Sequence, residues 1–109
     1  MDMPERDWKH LRRLKPAALD RFCDQVLQEV VKIATAAEPS SHQRYLNLYK
    51  FIHQRDKVLA DGFDDHRRST APWKIAAIYR LGLLTDEEFA GFSDETRDHV
   101  VRINSPPLP

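Results

Sequence analysis

The sequence predicts an all-α fold, a small helical bundle built on one long antiparallel helix hairpin. Three observations carry this expectation. Apolar residues recur three and four positions apart over long stretches, as the face of an α-helix requires. No segment alternates apolar and polar residues long enough for a strand. The seven prolines and three glycines fall at the margins of the periodic segments, where helices begin and end.

The first helix is expected over about 4–14, opened by Pro4 and placing Trp8, Leu11 and Leu14 on one side. Pro16 disfavours helical geometry at Lys15, so a break is expected there. The second helix, about 16–37, spaces Leu19, Phe22, Cys23, Val26, Val30 and Ile33 on one stripe, widened by Leu27, Val31 and Ala34. After a Glu-Pro-Ser-Ser connection, Ser41 is the expected N-cap of a third helix over about 42–61. Its face holds Tyr45, Leu48, Tyr49, Ile52 and Leu59. Gly62 is the expected left-handed C-cap, with Phe63 closing a Schellman motif.

Helix four, about 70–81, is opened by Pro72 and is apolar almost all round from Trp73 to Leu81, which predicts burial. Gly82 caps it. Thr85 and Glu88 form a capping box for a short helix over about 86–91. Ser93 caps the last helix, about 94–103, whose first turn carries Asp94 and Glu95 against the positive dipole end.

A chain of 109 residues fits one helical domain, 1–105, followed by a Pro-rich tail, 106–109. Seventeen basic and seventeen acidic residues leave no net charge, so the broad positive field of a nucleic-acid binder is missing. The strip Lys9, Arg12, Arg13 and Lys15 reads as a solvated helix face. Trp73 to Phe92 has the helix-turn-helix outline, but Asp86, Glu87 and Glu88 would meet phosphates at the start of the second helix. Cys23 is the only cysteine and lies on an apolar stripe, which predicts a structural thiol and no internal disulfide. The first residues lack the apolar core of a signal peptide and no run reaches membrane-spanning length, so a cytoplasmic location is expected.

Chemistry is sparsely signalled. Asp56 stands amid the apolar arc of the third helix, beside Ile52 and Leu59, and as a buried carboxylate it would need a partner. The loop before the fourth helix supplies candidates. Arg67, Arg68, Ser69 and Thr70 adjoin a helix N-terminus, where unpaired N–H groups favour an anion. They form a candidate pocket for a phosphate, a carboxylate or an acidic peptide. The alternative is a helix cap at Ser69 or Thr70 with an arginine tied to Asp56. The five histidines form no recognised metal-ligand pair; His53 with Asp56 and Asp65 with His66 come nearest. No catalytic motif and no cofactor motif is present.

Broad apolar arcs on two long helices in so short a chain predict surface seeking a partner. The expected function is a non-enzymatic protein–protein interaction module or homo-oligomer. The alternative is a binding protein or enzyme for a small anion at Arg67–Thr70. Nucleic-acid binding is third, disfavoured by charge.

Overall fold

In the computed structural model, residues 3–106 are described, and they are all-α: five helices with no strand. They are α1 (Glu5–Thr35), α2 (Ser41–Phe63), α3 (Ala71–Arg80), α4 (Asp86–Ala90) and α5 (Asp94–Asn104). The last three match the expected boundaries closely. Of the Pro-rich tail, all but Pro106 lies outside the described residues.

The expected break at Pro16 does not occur, and the helices read as 4–14 and 16–37 are one helix of 31 residues. The buried residues Asp7, Leu11, Ala18 and Phe22 stay in phase across the proline, Leu11 and Ala18 being two turns apart. Both halves therefore pack on one body, and a break would turn one of them away. Pro16 removes the hydrogen bond to the Arg12 carbonyl. Both residues are exposed, so water can satisfy that carbonyl.

α2 starts one residue early. Ser40, not Ser41, is the N-cap, its Oγ accepting the Gln43 N–H at 3.2 Å. It also ends late, because Gly62 is helical and the chain leaves through Asp64 in extended geometry. Among the described residues, the left-handed ones are Asp65 and Gly82. At Gly82 (φ +73°) the expected cap is realised, with the Leu83 N–H donating to the Ile78 carbonyl at 3.2 Å.

α1 and α2 pack along each other, α3 packs on both, and α5 packs on α3. Two parts result. The head comprises the N-terminal half of α1, the last turns of α2, and α3 to α5. Its core includes Leu11, Phe22, Phe63, Ile75, Ile78, Leu83, Phe92 and Val100, each at most 4% exposed. The other part is an arm formed by the distal stretch of α1 and most of α2, in which no residue from Cys23 to Asp61 is buried. The extents of 51 × 37 × 24 Å and the radius of gyration of 16.8 Å reflect it, since a compact 100-residue domain has about 13 Å.

Within the head, two polar clusters fasten α4 and α5 to α1. Asp7 is fully buried and caps α5: Oδ1 accepts the Ser93 N–H at 2.8 Å, while Oδ2 accepts the Ser93 and Thr96 hydroxyls at 2.6 Å each. Burial pushes its carboxyl up, but those hydrogen bonds and nearby Arg6 outweigh it and hold the group below its ordinary 3.8. Arg21 reaches Glu88 Oε1 at 2.6 Å and the Leu83 carbonyl at 2.8 Å. Glu88 is the acidic member of the Thr85 capping box, so one carboxylate closes α4 and anchors it to α1.

Candidate functional site

The Arg67–Thr70 loop is brought together but turned inward on its own polar groups. Arg67 pairs with Asp65, Nε to Oδ1 at 2.7 Å and Nη2 to Oδ2 at 2.8 Å. Arg68 reaches Glu5 Oε2 at 2.9 Å and the Met3 carbonyl at 2.7 Å. It thereby ties the loop to the start of α1. The Thr70 Oγ1 accepts the Arg67 N–H at 3.1 Å and sits 2.7 Å from the Asp65 carbonyl, to which it donates. Ser69 is exposed, and neither hydroxyl caps α3. His66, behind the loop, donates from Nε2 to the Gly62 carbonyl at 2.8 Å and stacks on Phe63. Burial holds its imidazole below the ordinary 6.5.

Asp56 corrects the expectation made of it. It is exposed, and neither Arg67 nor Arg68 pairs with it. The stripe on which it lies is real, but α1 packs against only one side of that stretch of α2, leaving a cavity there, and among the described residues no third element closes over Asp56. The buried carboxylate is Asp7, which shares a stripe with Leu11 and Ala18 and does have a cover, α5.

What the structure assembles instead is an apolar face on the arm. Its exposed large residues are Leu27 (61% exposed), Val31 (59%), Tyr45 (66%), Tyr49 (65%) and Ile52 (41%). Their spacing places them on one side. Relative to the line joining the helices, Leu27 and Val31 lie about a quarter turn or more round α1, and Tyr45, Tyr49 and Ile52 lie similarly round α2. The helices are antiparallel, so both offsets turn toward the same face.

Two concavities between the helices adjoin Leu27, Ile52 and Tyr45 of this set. At the base of the arm a cavity of about 210 Å³ lies between the helices, where Cys23, Val26 and Leu27 meet Ile52, Asp56 and Leu59. Its floor is Phe22, with the Arg55 guanidinium carbon 4.9 Å from the ring centre. At the tip a second concavity joins Ala34 of α1 to Tyr45 and Leu48 of α2. Cys23 is half-buried at the base cavity. The Tyr49 ring stacks parallel to His53 with centroids 6.2 Å apart.

The tip itself is pinned by Arg44, which donates to the carbonyls of Ala34 at 2.5 Å and Pro39 at 3.2 Å and to Ser41 Oγ at 3.1 Å. A fixed tip gives the face a defined shape. Among the described residues, no three His, Cys, Asp or Glu side chains gather as a metal site, and no helix is long and apolar enough to cross a membrane.

Comparison with protein-family models, with curated proteins and with solved structures returns no match.

Proposed function

We propose that this protein is a non-enzymatic interaction module whose helical arm docks a protein partner. The observation that carries the reading is the arm itself, a stretch from Cys23 to Asp61 with no buried residue and five large apolar side chains open on one face. Helices with broad apolar stripes gain most of their stability by burying them, and aromatic side chains on an exposed face are typical anchors of interfaces. Two helices cover only one side of each other. A partner laid on the open face would complete a helical bundle.

The test is site-specific photo-cross-linking in cells, with benzophenone side chains at Val31, at Tyr49 and, as a control on the head, at the exposed Glu95. Protein adducts of defined mass from Val31 and Tyr49, and none from Glu95, are expected. If positions 31 and 49 give no adduct beyond the control, the arm is not a docking surface.

A further inference from the structure

We infer that the occupant of the arm's face is a second copy of this chain, laid antiparallel so that the tip of each arm fills the base cavity of the other. This rests on the docking reading above and specifies its partner. A two-fold pair buries the same patch twice, so any protruding group must meet a hollow that the other copy presents at the symmetric place.

Leu27 stands opposite Ile52 at the base and Ala34 opposite Tyr45 at the tip. Tyr45, two-thirds exposed, is the open aromatic ring at the tip, where it edges the shallow concavity with Ala34 and Leu48. The hollow, about 210 Å³ and lined by Leu27, Ile52 and Asp56, is at the base. Tyr45 and Asp56 are eleven residues apart on α2, about 16 Å along the helix axis. A two-fold axis crossing the arm midway, near Tyr49, exchanges the two positions and lays α2 on the partner's α2 and α1 on the partner's α1. Each Tyr45 ring then enters the other copy's base cavity. Leu27 and Val31 of the two copies meet across the axis.

The polar ends also match. A buried tyrosine needs a hydrogen-bond partner for its hydroxyl, and the base cavity offers the Asp56 carboxylate, which no side chain among the described residues engages. The area is adequate as well. Twelve residues of each helix, Cys23 to Ala34 and Tyr45 to Asp56, make a face about 18 Å long and about 20 Å wide. That is about 360 Å² in projection and, with side-chain relief, roughly 500 Å² per copy or about 1,000 Å² in all, the lower end of specific interfaces. The antiparallel order also sends the two heads to opposite ends.

Cys23 in the base cavity provides the test. In the Tyr45→Cys variant of the full chain, mild oxidation should produce a covalent dimer in which position 45 of each copy is joined to Cys23 of the other, as read by peptide mapping. Within one chain those positions are far beyond the about 7 Å reach of a disulfide. Sedimentation equilibrium of the unmodified protein should show a concentration-dependent dimer. Tyr45→Ala, an exposed change that leaves the helical circular dichroism intact, should weaken it about a hundredfold, tenfold for each of two symmetric contacts.

A strict monomer through millimolar concentration overturns the proposal, as does a dimer cross-linked only through equal positions or unaffected by Tyr45→Ala. The photo-cross-linking separates the two readings. Adducts with a different protein sink the self-pairing and leave the docking surface standing, whereas no adducts sink both.

Discussion

Replacing Asp7 by asparagine is expected to destabilise the protein by about 2–3 kcal/mol at neutral pH, through loss of charge-assisted hydrogen bonds at a helix N-terminus. Asp7 is fully buried and accepts three hydrogen bonds of 2.6–2.8 Å from Ser93 and Thr96. Charge-assisted bonds contribute about 1.5–3 kcal/mol each. Asparagine keeps the shape and one acceptor, aimed at the Ser93 N–H. Its amide nitrogen, however, replaces the oxygen that accepts both hydroxyls. The hydroxyls can rotate to accept from the amide, so the loss is a fraction of the two bonds. Alanine leaves all three donors without the carboxylate, and about 4 kcal/mol is expected.

The same geometry sets a pH dependence. The folded-state carboxyl is held below 3.8, so its contribution is fully present above the unfolded-state pKa and is lost as pH falls through the folded value. Urea unfolding of wild type, Asp7→Asn and Asp24→Asn checks this. Asp24 is exposed, and its variant should stay within about 0.5 kcal/mol of wild type. The gap between wild type and Asp7→Asn should be wide at pH 7 and should shrink in strong acid. A gap at pH 7 no larger than that of Asp24→Asn, or one that persists undiminished once the carboxyl is protonated, would show that the Asp7 charge does not hold α5 in place.

His66 predicts a second, milder pH effect. Burial holds the folded imidazole below 6.5, so the unfolded chain takes up the proton first and stability declines as pH falls through about 6.5. Thermal melts from pH 7.5 to 5 should therefore fall more steeply for wild type than for His66→Gln, and parallel slopes would contradict this. Arg21→Ala should cost about 1–2 kcal/mol by freeing Glu88, a half-buried carboxylate that also closes α4. Hydrogen exchange should locate the loss at residues 83–92, and uniform loosening of the chain would count against the anchoring role.

Much of this fold could be read from local chemistry. Ser93, the Thr85–Glu88 box, Pro72 and Gly82 each act within a turn of their own position, and the helices they bound lie where these residues point. The failures share a cause. Pro16 carries a real local preference against helix at Lys15, but the stripe from Asp7 to Phe22 runs in phase through it, and packing of both halves on the head overrides the preference. Gly62 has the freedom to end α2 and does not use it. Asp56 and Asp7 both lie on apolar stripes. Periodicity tells which way a side chain faces, whereas burial depends on whether another element arrives there. α5 arrives at Asp7, whereas among the described residues only one side of α1 reaches the cavity beside Asp56, which stays exposed.

That distinction separates the two candidate sites in energy. The loop arginines hold ion pairs in which every side chain is at least half exposed, and such pairs contribute about 0–1 kcal/mol each. An anion arriving there would displace pairs already made and gain only the difference. On the arm there is no internal competitor. Fully burying a leucine, valine or isoleucine side chain is worth about 1.5–3 kcal/mol, and Leu27, Val31 and Ile52 forgo roughly half of that in the single chain. Covering the face in a symmetric pair recovers this term twice, together with the four tyrosine rings. The gain is of the same order as the about 4–15 kcal/mol that association costs in lost freedom. In the proposed pair a face of this size would give a reversible association, sensitive to single side chains, and the sensitivity should be greatest at Tyr45, the side chain the proposal seats in the partner copy's base cavity.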